Sequence, residues 1–366
     1  MRLIKVDYSK RIYGLDVFRA VAILLVVLGH GGVIAGDIFS FIPSIPVIDG
    51  VELFFVLSGF LIGSIIINQV EVSEKLNFKG IFHFWKRRWL RTLPNYYLIL
   101  LVNYFLVKYE IIGGDIHQFN YKFFLFIHNF STGFYEFFWE SWSLSVEEWF
   151  YIFLPILIAL FLAILPKRKA LIVTILCLLI FPLLHRISQS DMDVDKFWLD
   201  VNFRKVVIMR LDAIAFGLIA AYIKKYYSIF WYTSRNWMFI LGIVIIYFEI
   251  FLPQDVNGFF TKTFAFSLTS FGAMLLLAKA DSIKSFRYPV VGRAVTFISI
   301  ISYSMYLVNL ALVSQVIVHN FTLTTSSEHL LAYICYWAAT IGISYLLYIA
   351  YERPFLRLRD RNRSPK

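Results

Sequence analysis

A histidine, five arginines and several carboxylates stand in or beside apolar runs. An ionisable side chain there costs on the order of 2.5–3.5 kcal/mol at mid-helix, so each calls for a reason. The run LDVFRAVAILLVVLGHGG carries Asp16, Arg19 and His30. Arg19 and His30 are eleven residues apart. On a helix that is three turns with about 20° left over, so the two share one face roughly 16 Å apart. Asp16 lies one turn before Arg19 on nearly the same stripe. Arg19 reads either as a snorkelling helix-end charge or as part of a site. His30 reads either as a hydrogen-bonded structural histidine or as a general base, a task that a pKa near ~6.5 suits. It is the only one of seven histidines well inside an apolar run, and haem ligation would want a second deep one.

The carboxylates gather at a similar depth. Asp49 and Glu52 flank the start of DGVELFFVLSGFLIG, and Glu147 and Glu148 lie one to two turns into SWSLSVEEWFYIFLP. One of the glutamates should face inward, because two adjacent lipid-facing carboxylates would be doubly costly. Arg210 and Asp212, in MRLDAIAFGL, read first as a structural ion pair. A basic cluster, Lys86, Arg87, Arg88 and Arg91, fills FHFWKRRWLRTLP. It serves either as a flank that meets anionic lipid or as a phosphate site. Arg88 and Arg91, three apart on a helix, would present neighbouring forks to phosphate oxygens.

Apolar helices must position all of these groups. Hydrophobic residues make up 59% of the chain and charged residues 16%, with a mean hydropathy of +0.70. That leaves too little polar surface to cover a soluble globule. The reading is an all-α bundle of about ten membrane helices, at about 15–35, 51–68, 92–109, 143–165, 170–186, 207–223, 236–252, 263–279, 294–318 and 330–352. With the N-terminus inside, connecting segments on the inner side hold 26 Lys and Arg and those on the outer side hold 7. Both termini are then expected in the cytoplasm. The net charge of +11 records that topology rather than a nucleic-acid partner. The stretch 119–142 is too short of apolar residues to cross. It reads as an interfacial or re-entrant segment anchored by aromatic side chains, with an eleventh span as the alternative. Cys177 and Cys335 sit far apart in apolar runs, so neither zinc spacing nor a disulfide framework is available. The N-terminus lacks a signal-peptide cleavage pattern and is expected to stay in the mature chain. The whole of 1–366 reads as one membrane domain.

Taken in order, these motifs resemble the transmembrane acyltransferase-3 family, which O-acylates bacterial surface carbohydrates, peptidoglycan and related glycans. The resemblance runs from Tyr13 to Phe355. It rests on Arg19–ten residues–His30, on DGVELFFVLSGFLIG, and on the Arg-x-x-Arg pair Arg88–Arg91. It continues through WSLSVEEWFY at 142–151, RLDAIAFG at 210–217, ISYSMYL at 301–307 and YERPF at 351–355. Two positions depart from the family pattern: Glu52 is often Asp, and Asn309 stands where many members have His.

The resemblance implies a bacterial inner-membrane O-acetyltransferase. An acyl-CoA co-substrate, usually acetyl-CoA, would bind from the cytoplasm, with no tightly bound cofactor or metal. The acceptor would be a glycan or lipid-linked sugar on the outer side. Arg19, Arg88 and Arg91 would serve the donor. His30 would act as base or as an acyl-carrying nucleophile, and Glu147 or Glu148 would orient it or meet the acceptor, with Glu52 nearby. No extracellular esterase-like domain is expected, so either this protein transfers directly or a separate extracytoplasmic partner finishes the step. The competing class is a transporter or flippase of a lipid-linked glycan, though the inverted repeats common in transporters are not visible.

Overall fold

The computed structural model describes residues 11–36, 49–72, 76–134, 136–251, 255–285 and 288–361. Most of the basic N-terminal segment 2–11, most of the outer loop 36–50 and the last charges of the C-terminus lie outside them. Among the described residues there is no strand, and the chain folds as a bundle of helices. The long ones are α1 (Tyr13–Ala35), α2 (Gly50–Val72), α3 (Phe78–Lys108), α4 (Ser141–Leu162) and α5 (Lys167–Ser188). They continue with α6 (Val207–Tyr226), α7 (Arg235–Phe251), α8 (Phe266–Ser282), α9 (Pro289–Val308) and α10 (Ser326–Leu347).

Seven described helices are long and apolar enough to cross a membrane, and α6 with the short Lys196–Arg204 segment before it, bent by 69°, makes an eighth. The ten expected spans are therefore met as seven or eight. Of the others, α3 is diluted by its basic first half and by Asn95, Tyr96, Tyr97 and Asn103, and α7 is described over only 17 residues. Large apolar side chains project outward from them, among them Leu176, Ile180 and Phe181 on α5 and Leu241, Val244 and Phe248 on α7. Apolar faces of this extent are compatible with lipid rather than water. The chain is a multi-pass membrane protein.

Helix direction follows from cross-contacts. Glu52 on α2 meets Arg210 on α6, and two turns further along both helices Gly59 meets Gly217. The pair is parallel. A Cβ at Gly59 would lie 1.9 Å from the Ile214 carbonyl oxygen, and one at Gly217 would lie 2.0 Å from that of Val56. Only glycine permits this approach, the small-residue packing that membrane helices use. Helices α1 and α9 are also parallel, since Asp16 meets Ser299 and His30 meets Asn309. α10 runs against α1, with the Tyr336 hydroxyl donating to the Val27 carbonyl and His329 Nδ1 2.7 Å from that of Ile34. A capping box starts α10: Thr325 and Glu328 satisfy each other's backbone N–H groups.

The stretch 119–142 contains no spanning helix among the described residues, which removes the eleventh span. It is a folded plug of short turns. Phe123, Phe137 and Phe138 are buried, and its carbonyls accept from the Tyr96 and Tyr97 hydroxyls of α3 and from the Trp149 indole of α4. Its buried aromatic side chains thus anchor to protein rather than to a headgroup zone. His128 stacks on Phe123 at 4.3 Å and its Nε2 lies 2.9 Å from the Ser141 hydroxyl oxygen. Burial lowers its pKa to about 3, so it is neutral packing.

Candidate active site

His30 sits one and a half turns from the end of α1, and its Nδ1 lies 2.5 Å from the Asn309 side-chain oxygen. Asn309 opens a π-helical turn, Asn309–Ser314, where α9 breaks its regular pattern. Such bulges recur at functional sites. The Asn309 amide nitrogen donates to the carbonyls of Met305 and Tyr306, each at 2.8 Å. This fixes the amide, leaving its oxygen toward His30. An amide oxygen only accepts, so Nδ1 must carry the proton. Neutral His30 therefore keeps its lone pair on Nε2, the tautomer a base needs. The Ser314 hydroxyl donates to the His30 carbonyl at 3.0 Å, so the same turn holds ring and backbone.

His30 lines a cavity of about 950 Å³ together with Asp49, Glu140, Trp142, Arg204 and Tyr306. The helix termini explain the gathering: α1 ends here, while α2, α4 and α6 start here. The cations of this cavity are matched. Arg204 pairs with Asp49 and, at 2.6 Å, with Asp200, and Lys205 pairs with Asp200 at 2.5 Å. The Arg204 guanidinium lies over the Trp142 ring, 5.0 Å from its centroid.

A second, narrower cavity of about 90 Å³ lies toward the other end of the bundle. Arg19, Arg88, Arg91, Glu147, Tyr151 and Tyr303 are among the residues that line it. Three guanidiniums thus face one carboxylate. Arg88 is buried, and its Nε has no hydrogen-bond partner. Arg19 reaches Ser299 at 3.3 Å and Asp16 at 3.7 Å, while Asp16 itself is taken mainly by Arg11 at 2.5 Å. Val51 and Tyr306 line both cavities, so the two chambers abut at these side chains.

The adjacent glutamates part company. Glu147 lines the arginine cavity, whereas Glu148 is buried against α3 and accepts from the Thr92 hydroxyl at 2.6 Å. Neither hydrogen-bonds His30. That place belongs to Asn309, because Glu147 lies six residues into α4, about 9 Å along the axis toward the arginine end. Glu52 lines neither cavity. Its oxygens accept from Arg210 at 2.7 Å and from the Ser270 hydroxyl at 3.0 Å.

The expected Arg210–Asp212 ion pair is not formed. Two residues apart on a helix means about 200° of rotation, so the side chains diverge. Arg210 goes to Glu52, and Asp212 to Arg186 at 2.8 Å and the Ser267 hydroxyl at 2.6 Å. Lys86 and Arg87 line neither cavity.

Glu140 and Tyr306 were not singled out from sequence. Glu140 is the residue before α4, buried, with one carboxylate oxygen accepting from the Ala311 N–H at 3.0 Å. Burial pushes its carboxyl up to about 7, against the opposing pull of its own N–H and that of Ala311. The available signal was an ionisable residue touching the start of an apolar run, obscured by the aromatic segment around it.

The bundle thus holds an oriented histidine in one chamber and three converging arginines in the next. The family profile described as an acyltransferase domain matches residues 12–349, and the chain belongs to that acyltransferase-3 family. It is 31% identical over 183 residues to the peptidoglycan O-acetyltransferase OatA of Listeria monocytogenes, covering 45% of this chain and 27% of that protein. It is 25% identical over 332 residues to the O-acetyltransferase OatA of Staphylococcus aureus, covering 79% of this chain and 52% of the relative. The matched regions thus span about half, or about a quarter, of these curated relatives. No solved structure matches it.

Proposed function

We propose that the protein is an inner-membrane O-acyltransferase that moves an acyl group, in the simplest case acetyl, from acyl-CoA to a hydroxyl of a cell-surface glycan. The observation that carries this reading is the Asn309–His30 hydrogen bond, which leaves Nε2 as a lone-pair acceptor on a residue lining the wide cavity. Arg19, Arg88 and Arg91 suit the donor's phosphates, because guanidinium forks match phosphate oxygens. The narrow cavity suits a slender pantetheine arm leading past Val51 and Tyr306. The wide cavity, with Trp142 and paired charges, suits a bulky polar acceptor. Ten spans with both termini cytoplasmic fit the lysine and arginine asymmetry and put the arginine end where acyl-CoA is made.

In the reaction, Nε2 takes the proton of the acceptor hydroxyl as its oxygen attacks the thioester carbonyl. The carbon–sulfur bond breaks, and the leaving thiolate receives that proton from the imidazolium. In the two-step variant Nε2 itself attacks the thioester and expels the thiolate; the acceptor oxygen then takes the acyl group from Nε2, and its proton goes to the thiolate. The name of the Listeria monocytogenes relative suggests a peptidoglycan-like acceptor. Final transfer is either direct or handed to a separate extracytoplasmic protein.

The test is to incubate purified protein in lipid nanodiscs with carbonyl-labelled acetyl-CoA and a panel of peptidoglycan and polysaccharide fragments. Label should move to an ester on a fragment. Acetyl-CoA left intact with every acceptor would sink the proposal and favour a flippase.

A further inference from the structure

Glu140 is a buried carboxylate on the His30 cavity that the reaction above leaves unused. It lines the His30 cavity while only 2% exposed. Its Oε1 accepts from the Ala311 N–H, and its Oε2 has no hydrogen-bond partner and is itself shut off from water in the cavity wall, so a ligand hydroxyl meets it as the carboxylate turns toward the cavity. Its backbone is pinned as well, because the Tyr306 hydroxyl donates to the Glu140 carbonyl at 3.0 Å. Ala311 and Asn309 belong to the same π-helical turn. One turn of α9 therefore fixes two groups from different helices, the His30 imidazole through Asn309 and the Glu140 carboxylate through Ala311. The neighbouring cations are spoken for, since Arg204 and Lys205 pair with Asp49 and Asp200.

An unmet acceptor oxygen on a buried carboxylate is costly, and a ligand O–H removes that cost. A glycan brings several hydroxyls on one rigid ring. We propose that Glu140 is an acceptor-positioning residue: its free oxygen accepts a hydrogen bond from a second hydroxyl of the glycan, which presents the reacting hydroxyl to His30. The acceptor class is thereby narrowed to sugars with at least two free hydroxyls on the unit that is acylated. This inference rests on the acyltransferase reading.

The experiment compares, at pH 8 where the carboxylate is ionised, wild type with Glu140→Gln, which retains an oxygen for the Ala311 N–H but presents an amide N–H₂ where the free oxygen stood. The probes are acetyl-CoA and soluble peptidoglycan oligosaccharides, together with the mono-deoxy analogues of the repeating disaccharide. The acceptor KM should rise about tenfold or more in the variant, the scale of one hydrogen bond to a charged group, with a smaller fall in kcat. One deoxy analogue should be about tenfold worse for wild type yet equivalent to the parent sugar for Glu140→Gln, a discrimination that a merely structural residue would not produce. Thermal melting of both proteins checks folding. Active wild type with an unchanged acceptor KM in the variant, or with equal deoxy penalties in both proteins, overturns the role of Glu140 and leaves the acyltransferase reading standing. Wild type that cleaves no acetyl-CoA with any oligosaccharide overturns both.

Discussion

The two chambers that meet at Val51 and Tyr306 are built on opposite electrostatic plans. In the narrow one, Arg19, Arg88 and Arg91 converge on a space with Glu147 as their lone facing carboxylate. In the wide one, Arg204 and Lys205 are matched by Asp49 and Asp200, and the groups that stay unspent include His30 Nε2 and one oxygen of Glu140. An excess of guanidinium in a confined space is stable only against an anion, because like charges at short range in a low dielectric repel strongly. A neutralised wall with a lone pair and a spare acceptor suits a neutral, hydroxyl-rich molecule. The difference in charge suits the two substrates proposed above, one anionic and slender, the other polar and broad.

The largest expected effect falls on the wide chamber. His30→Ala should lower acyl transfer by about 10²–10⁴-fold, the usual contribution of a positioned base, with acetyl-CoA binding retained. His30→Gln, which hydrogen-bonds but cannot take the proton, should be almost as inactive. Substantial turnover by the Gln variant would remove His30 as the base. Next comes the narrow chamber. Arg88→Ala combined with Arg91→Ala should raise the acyl-CoA KM on the order of 10²-fold, and the two Lys replacements should recover only part of it, since an ammonium lacks the guanidinium fork. Equal acyl-CoA binding by mutant and wild type, read by calorimetry, would reduce these arginines to topology flanks. Asn309→Leu should cost on the order of tenfold in kcat by freeing the His30 tautomer, with acyl-CoA binding kept. A loss confined to acyl-CoA KM would instead tie Asn309 to the narrow chamber.

Much of this was legible from residue types, and the misses have a common cause. Arg19 and His30 stood out because a charge or imidazole in an apolar run is expensive, and Arg88 and Arg91 because two guanidiniums three residues apart on a helix suit phosphate; the structure lines the two chambers with them. Periodicity along one helix could not show which partner a neighbouring helix supplies. Arg210 and Asp212 look like a pair in the sequence, yet each faces a different helix and finds Glu52 or Arg186 there. Glu147 and Glu148 could not be told apart without the rotation of α4 against α3. The role of Asn309 depends on a π turn that no hydrophobic pattern announces, and Glu140 was absorbed into an aromatic stretch whose buried side chains pack against protein.

The smallest effect concerns how dry the wide chamber is around Glu140. Burial raises its carboxyl from 4.5 to about 7, so the folded protein holds a proton there that the unfolded chain releases at lower pH. A group whose pKa rises on folding stabilises the fold fully below its unfolded value, and the contribution is lost as pH climbs through the folded value. Wild type should therefore lose melting temperature relative to Glu140→Gln between pH 5 and pH 8, by roughly a few degrees, because the glutamine cannot ionise. A polar acceptor that hydrogen-bonds the ionised carboxylate should shrink that loss at pH 8 in wild type alone. The measurement is a set of melting curves for both proteins in detergent at matched ionic strength, with and without oligosaccharide. Parallel curves for the two proteins without oligosaccharide would mean that Glu140 ionises at an ordinary carboxylate pKa, with water already serving its second oxygen. The contrast between a chamber that awaits its ligand and one that is already solvated would then have to be redrawn.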